Sequence, residues 1–149
     1  MAELHSGVLT RGIELRYREP DSAGEFSGSF TKLNDLQEIP DLGGTSDTVE
    51  VTTFDDGAHM YIKGLKDYGD SVDFTFLYAS DQFNTLSAMD GQYEWQVYLP
   101  EDAAGNSGIT CTFLGECAVR INGQGTNEAI QYTLQITPMS DMEFAEASV

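Results

Sequence analysis

Basic residues are scarce in this chain: 7 Lys and Arg stand against 25 Asp and Glu, for a formal net charge of −18. A protein that grips duplex nucleic acid uses Lys and Arg to displace counterions from phosphates, and this composition lacks that footprint. Acidic charge of this size is accounted for by solubility and by mutual repulsion of copies. Histidine is rarer still. His5 and His59 sit in an expected arm and an expected loop, with no Cys or His at metal-ligand spacing, and read as ordinary exposed side chains. The two cysteines, Cys111 and Cys117, are too few for a disulfide framework or a zinc site and read as small buried apolar residues. No apolar run approaches the roughly 20 residues a bilayer span needs. The opening residues, MAELHSGVLTRGIELRYRE, show no basic stretch followed by an apolar one. The expectation is a protein without membrane contact, made and used in a cytoplasm.

Catalytic patterns are missing too. No Ser-His-Asp order with a nucleophile elbow occurs. Gly123-Gln124-Gly125 lacks the Lys and the following helix of a phosphate loop. Asp67, Asp70 and Asp73 do not match the spacing of an EF-hand. Asp55 and Asp56 precede a glycine and read as solvated turn formers. No pair of carboxylates stands out as acid and base. The expectation is a non-enzyme with no cofactor and no metal.

What the chain does have is alternation. Ile13, Leu15 and Tyr17 share one face against Glu14, Arg16 and Arg18, and Val49 and Val51 alternate with Glu50 and Thr52. Val72, Phe74, Phe76 and Tyr78 line up, as do Tyr93, Trp95, Val97 and Leu99. Ile109, Cys111 and Phe113 form another apolar face, and Cys117, Val119 and Ile121 continue it past an expected bulge at Gly115. Ile130, Tyr132, Leu134 and Ile136 form the last. Period two places one face on a core and leaves the other wet. Asp56-Gly57, Asp90-Gly91 and Asn122-Gly123 punctuate the strands, and 100–108 reads as a loop.

One segment breaks the rhythm. Residues 81–89 place Phe83, Leu86 and Met89 or Ala88 on a helical face, with Ser80 or Asp81 as a cap. A helix this short must pack on a sheet. The fold class is therefore mainly β: a β-sandwich or flattened barrel with one short flanking α-helix, in a single domain over 1–149. Residues 54–70 read as a long loop, and Met60, Tyr61, Ile62 and Leu65 within it want an apolar surface. Two accounts stay open: contact with a partner subunit, or a short strand at Tyr61 and Ile62 in the same domain. Residues 1–10 and 139–149 read as terminal arms, the second ordering on assembly.

The stretch from Ile39 to Tyr78 resembles the tail tube proteins of long-tailed bacteriophages. The matching residues are Pro40, Leu42, Gly43, Gly44, Glu50, Thr52, Asp55, Tyr61, Ile62, Gly64, Leu65, Asp67, Gly69 and Tyr78. The family order then continues through Phe83 and Leu86, Val97 to Pro100, Phe113-Leu114-Gly115, and Thr137-Pro138-Met139-Ser140, so that the likeness runs from about Ser29 to Phe144. The resemblance, which extends to the inner tube of type VI secretion systems, implies a β-sandwich that forms hexameric rings. The rings stack into a hollow virion tail tube through which genomic DNA passes without specific binding. It implies tail-tip, tape-measure and tail-terminator partners, assembly in the host cytoplasm, and a long loop joining neighbouring rings. On it, Met60, Tyr61, Ile62 and Leu65 are candidates for the contact between rings. Glu50, Asp73 and Glu94, on the polar faces of expected strands, are candidates for acidic lumen residues. Two other functions fit an acidic β-sandwich: a module binding a carbohydrate or protein through Trp95 and the tyrosines, and a DNA mimic.

Overall fold

A computed structural model describes residues 12–147 apart from 104 and 124; the expected arm over 1–10 lies outside the described residues. The elements in chain order are β1 (Glu14–Arg18), β2 (Thr31–Leu33), β3 (Leu36–Glu38), β4 (Thr45–Glu50), β5 (Tyr61–Asp67), β6 (Val72–Leu77), α1 (Ser80–Ser87), β7 (Tyr93–Leu99), β8 (Ile109–Ile121), β9 (Gln131–Pro138) and β10 (Glu143–Glu146). Eight strands form one curled, half-barrel sheet in the order β2-β1-β7-β8-β9-β6-β3, with β10 paired to β8. The fold is mainly β with one short helix, within the class expected.

Strand β8 is the spine, with 13 residues. Its first half pairs with β7 on one side and β10 on the other, and its second half pairs with β9. Its apolar alternation never breaks. Cys111, Phe113 and Gly115 are buried and Cys117 and Val119 pack against the core in one continuous register, so the bulge expected at Gly115 is absent. Glycine stands there for space. A Cβ at Gly115 would lie 2.6 Å from Thr137 O and 2.8 Å from Ile136 Cγ2.

The inner faces meet as the alternation requires. Trp95 pairs with Phe113, Val97 with Cys111, Phe74 with Leu134, and Val72 with Ile136. Trp95, Tyr132, Phe74, Phe76, Leu15 and Leu134 have no exposed surface, and each such burial contributes about 1.5–3 kcal/mol. Helix α1 lays Leu86 on this core. It is bounded by Ala79 and Ala88, with no side-chain cap, so neither Ser80 nor Asp81 caps it and it stops two residues short of Met89.

The curl brings the two ends of the sheet to adjacent points of the chain. Strands β2 and β3 are the outermost in the path, yet only Asn34 and Asp35 separate them. Asp35 takes the left-handed conformation (φ 67°) and its carbonyl accepts from Leu77 N–H at 2.9 Å. Gln82 closes the seam from the helix. Its amide donates to Asn34 O at 2.8 Å and to Tyr132 Oη at 2.6 Å, while its Oε1 accepts from Asn34 N–H at 2.7 Å.

Three expectations about segments need correction. The loop expected over 54–70 holds strand β5, which pairs with β4 in a separate two-stranded sheet. The strand expected from Thr48 to Phe54 ends at Glu50, and Val49 and Val51 are exposed, because β4 has no second layer to cover it. The C-terminal arm is part of the sheet: residues 143–146 pair with β8, and Met142 before them is buried.

Candidate assembly surface

The β4–β5 hairpin is the feature of the described residues that core packing does not explain. All of β5 is exposed. Register gives the ribbon two unlike faces. Val49 pairs with Ile62, and Val51 N–H donates to Met60 O at 2.8 Å, so these four apolar side chains share one face. Thr48, Glu50, Tyr61 and Lys63 form the other. Three of these residues, Met60, Tyr61 and Ile62, belong to the expected contact set. Met60 and Ile62 come together, Tyr61 points to the opposite face, and Leu65, the fourth expected residue, lies within the register shift, between Lys63 and Lys66. Val49 and Val51 belong to this surface, although their alternation alone points to the core. Each of the four apolar side chains is between 42% and 54% exposed.

The turns at the two ends of the hairpin are specified locally. At the tip, Asp56 Oδ2 accepts from Thr53 N–H at 2.7 Å and from Thr53 Oγ1 at 3.2 Å. At the root stand Gly43 (φ 100°) and Gly44 (φ 65°), both in conformations that side chains resist. A Cβ on Gly44 would come within 2.4 Å of Asp67 O. The C-terminal segment holds this root from outside the hairpin. Gly43 N–H donates to Met142 Sδ at 3.4 Å, Tyr68 Oη donates to Asp141 Oδ1 at 3.2 Å, and the Phe144 ring lies 3.3 Å from the Cβ position of Gly43.

The three acidic candidates divide between two places. Glu50 is on the hairpin, where its Oε1 lies 2.8 Å from His59 Nδ1. Glu94 and Asp73 share the polar face of the main sheet, with β8 and β9 between them. Each faces an arginine: Glu94 Oε1 accepts from Arg18 Nη2 at 2.8 Å, and Asp73 Oδ2 is 3.8 Å from Arg120 Nη2. Arg18 also donates to Gly28 O at 3.0 Å and stacks over Phe30 at 4.4 Å. Along this face Arg16 donates to Glu14 Oε2 at 2.6 Å and to Gln96 Oε1 at 3.3 Å, and Gln96 reaches Thr112 Oγ1 at 3.4 Å. The hydrogen bond from Arg16 holds the Glu14 carboxyl below its ordinary range. Thr75, Thr133, Gln135 and Thr137 stand on the same face. Sequence order gave no signal for these arginine pairs, which register alone creates.

Burial pushes the thiols of Cys111 and Cys117 up to about 11, which keeps them protonated at neutral pH. Trp95 lies in the core with its indole N–H donated to Gly115 O, so it offers no face to a ligand. Among the described residues no group of three or more His, Cys, Asp or Glu is placed to hold a metal ion, and no helix is long and apolar enough to cross a membrane.

A curled β half-barrel with one flanking helix, a projecting hairpin and a C-terminal strap defines the structural class. No protein-family model and no curated protein matches the sequence. Among solved structures the fold is similar to that of the SPP1 tail tube determined by solid-state NMR and cryo-EM. The two agree with a TM-score of 0.53 at 13% identity, over 96% of this chain and 81% of that one. At that identity the likeness is one of fold, and the fold is the tail-tube fold that the sequence resemblance implies.

Proposed function

We propose that this chain is a structural subunit of a phage tail tube, whose copies form hexameric rings that stack around a channel for genomic DNA. The observation that carries the reading is the tail-tube fold over 96% of the chain, joined to a hairpin that exposes an apolar face. A solitary soluble subunit gains nothing from such a face; a stacked one buries it. Val49, Val51, Met60 and Ile62 form the contact between rings, with Tyr61 and Leu65 at its margin. Tail-tip, tape-measure and tail-terminator partners, assembly in the host cytoplasm and residence in the virion tail belong to the same reading.

The polar face of the main sheet is the candidate lumen wall. There Glu94 and Asp73 stand opposite arginines, among threonines and glutamines. On such a wall the arginines are occupied by carboxylates, so it gives phosphates few bare cations to stick to. A cryo-EM map of the tube with this face on the outer wall overturns that assignment. Negative-stain microscopy of the concentrated protein tests the whole reading. Hollow rings or tubes are expected, and a persistent monomer in the presence of a tail-tip initiator speaks against it.

A further inference from the structure

Asn122 and Gly123 make the pairing that most often marks a two-residue hairpin turn, but this fold does not use them as one. Residues 122–130 separate β8 from β9, and neither Asn122 nor Gly123 takes a left-handed φ. Asn122 instead extends the β8–β9 ladder, with its N–H donated to Gln131 O at 2.9 Å. Its side chain lies on the polar face, where Oδ1 accepts from Thr133 Oγ1 at 2.7 Å. Thr133 is 5% exposed, so little water competes for that hydrogen bond. Asn122 Nδ2 and the Gly123 N–H have no partner among the described residues. A Cβ at Gly123 would meet nothing within 4 Å.

We propose that Asn122-Gly123 is a site of spontaneous deamidation, promoted by the Thr133 hydroxyl. The step joins the Gly123 nitrogen to Asn122 Cγ. The Gly123 N–H proton passes to solvent hydroxide, the charge of the tetrahedral adduct gathers on Oδ1, and Nδ2 takes a proton from water and leaves as ammonia. Water then opens the succinimide to aspartate or isoaspartate at position 122. Three features suit the chain to this step. The ladder and Thr133 hold the electrophilic carbon still, while the glycine is free to swing its nitrogen toward it. The leaving nitrogen is held by no acceptor. The Thr133 hydroxyl already points at the oxygen on which charge develops, as an oxyanion-hole donor does. Asn106 lacks these features: its Nδ2 is engaged by Asp102 Oδ2 at 2.8 Å, and serine follows it. The product adds a carboxylate to the polar face of the sheet, next along that face from Arg120, which already faces Asp73. The inference stands on the single chain and holds with or without assembly.

Peptide mapping by mass spectrometry of the full chain, aged at pH 8, tests it. Asn122 is expected to convert before Asn34, Asn84, Asn106 and Asn127, with isoaspartate among the products. Thr133→Ser should keep the wild-type rate. Thr133→Val should slow conversion at Asn122 about tenfold, the loss of one hydrogen bond to a developing charge. Circular dichroism checks that both variants fold, and the ranking of asparagines in the wild type is decisive without them. An Asn122 that outlasts the other asparagines in the folded wild type overturns the inference, because the ladder then protects the site. So does a folded Thr133→Val chain that deamidates at the wild-type rate.

Discussion

Trp95 donates its indole N–H to the carbonyl oxygen of Gly115, 3.1 Å away in the buried centre of the sheet. Gly115 is also where β8 changes partners, pairing with Tyr93 on one side and Pro138 on the other. The site has no room for a methyl group, since Thr137 O and Ile136 Cγ2 occupy it. Gly115→Ala is therefore expected to destabilise the fold by about 1–3 kcal/mol through overpacking. Trp95→Phe removes the donor and leaves the carbonyl short of a partner, at a cost of about 1–3 kcal/mol besides the lost volume. Urea midpoints should fall for both with the slope unchanged. A wild-type midpoint for Gly115→Ala would mean that β9 yields easily there.

The seam between β2 and β3 makes a second prediction. Gln82 satisfies both backbone groups of Asn34 and the hydroxyl of Tyr132, a residue with no exposed surface. Gln82→Ala strands that hydroxyl, and the expected loss is about 1–3 kcal/mol. In a Tyr132→Phe background the same change should cost less, because the orphan is gone. A double-mutant cycle with coupling below about 0.5 kcal/mol would show Gln82 and Tyr132 to be independent.

Most of the main sheet was legible because its inner face is written in period two. Val72 to Phe76, Tyr93 to Leu99 and Tyr132 to Ile136 are all strands with the expected face inward. Alternation misled at Val49 and Val51, since an apolar stripe on a ribbon reads the same whether the covering layer comes from its own chain or from another. It failed for β5 because Lys63, Gly64 and Lys66 dilute the pattern and the pairing with β4 carries a register shift. Gly115 suggests a bulge because sequence shows only that a side chain is missing, not that Thr137 fills its space. The strap was missed because Met142 and Phe144 find their partners at Gly43, about a hundred positions away in the chain.

The strap couples the C-terminus to the hairpin root. Met142 is 5% exposed and takes the Gly43 N–H, and Asp141 takes the Tyr68 hydroxyl. Met142→Ala is expected to cost about 2 kcal/mol, the low end for a buried methionine at the margin of a core. Truncation after Ser140 should loosen the root further while the β7–β8–β9 ladder holds. Hydrogen exchange should then quicken at 43–46 and 66–68 and stay slow at 132–136. Uniform quickening would mean that β10 supports the entire sheet rather than the hairpin.

The thiols predict an alkaline limit. Cys111 and Cys117 titrate near 9 when unfolded and are pushed up to about 11 by burial in the fold. Between those values the unfolded chain has released protons that the folded one retains, so stability falls as pH rises from 9 to 11. Below pH 9 both states hold the proton and the effect vanishes. Urea midpoints at pH 8, 9 and 10 should decline only over the upper interval. The decline should weaken in Cys111→Ala, measured relative to its own midpoint at pH 8. Rapid reaction of both thiols with an aromatic disulfide at pH 8 in the native state would contradict the burial.

Removing residues 56–66 takes out the tip and most of β5 and leaves β4 without the strand it pairs with among the described residues. The eight-stranded sheet loses no rung, since β4 and β5 pair with each other alone. The expected result is a folded unit with the wild-type far-UV spectrum, and a thermal midpoint within a few degrees of the wild type. It should remain dispersed at concentrations where the parent forms tubes. Its exposed apolar area also falls, so it should bind less of a hydrophobic dye. A deletion variant that still builds tubes of normal length would move the contact between rings to another surface. The strap would then be the next place to examine.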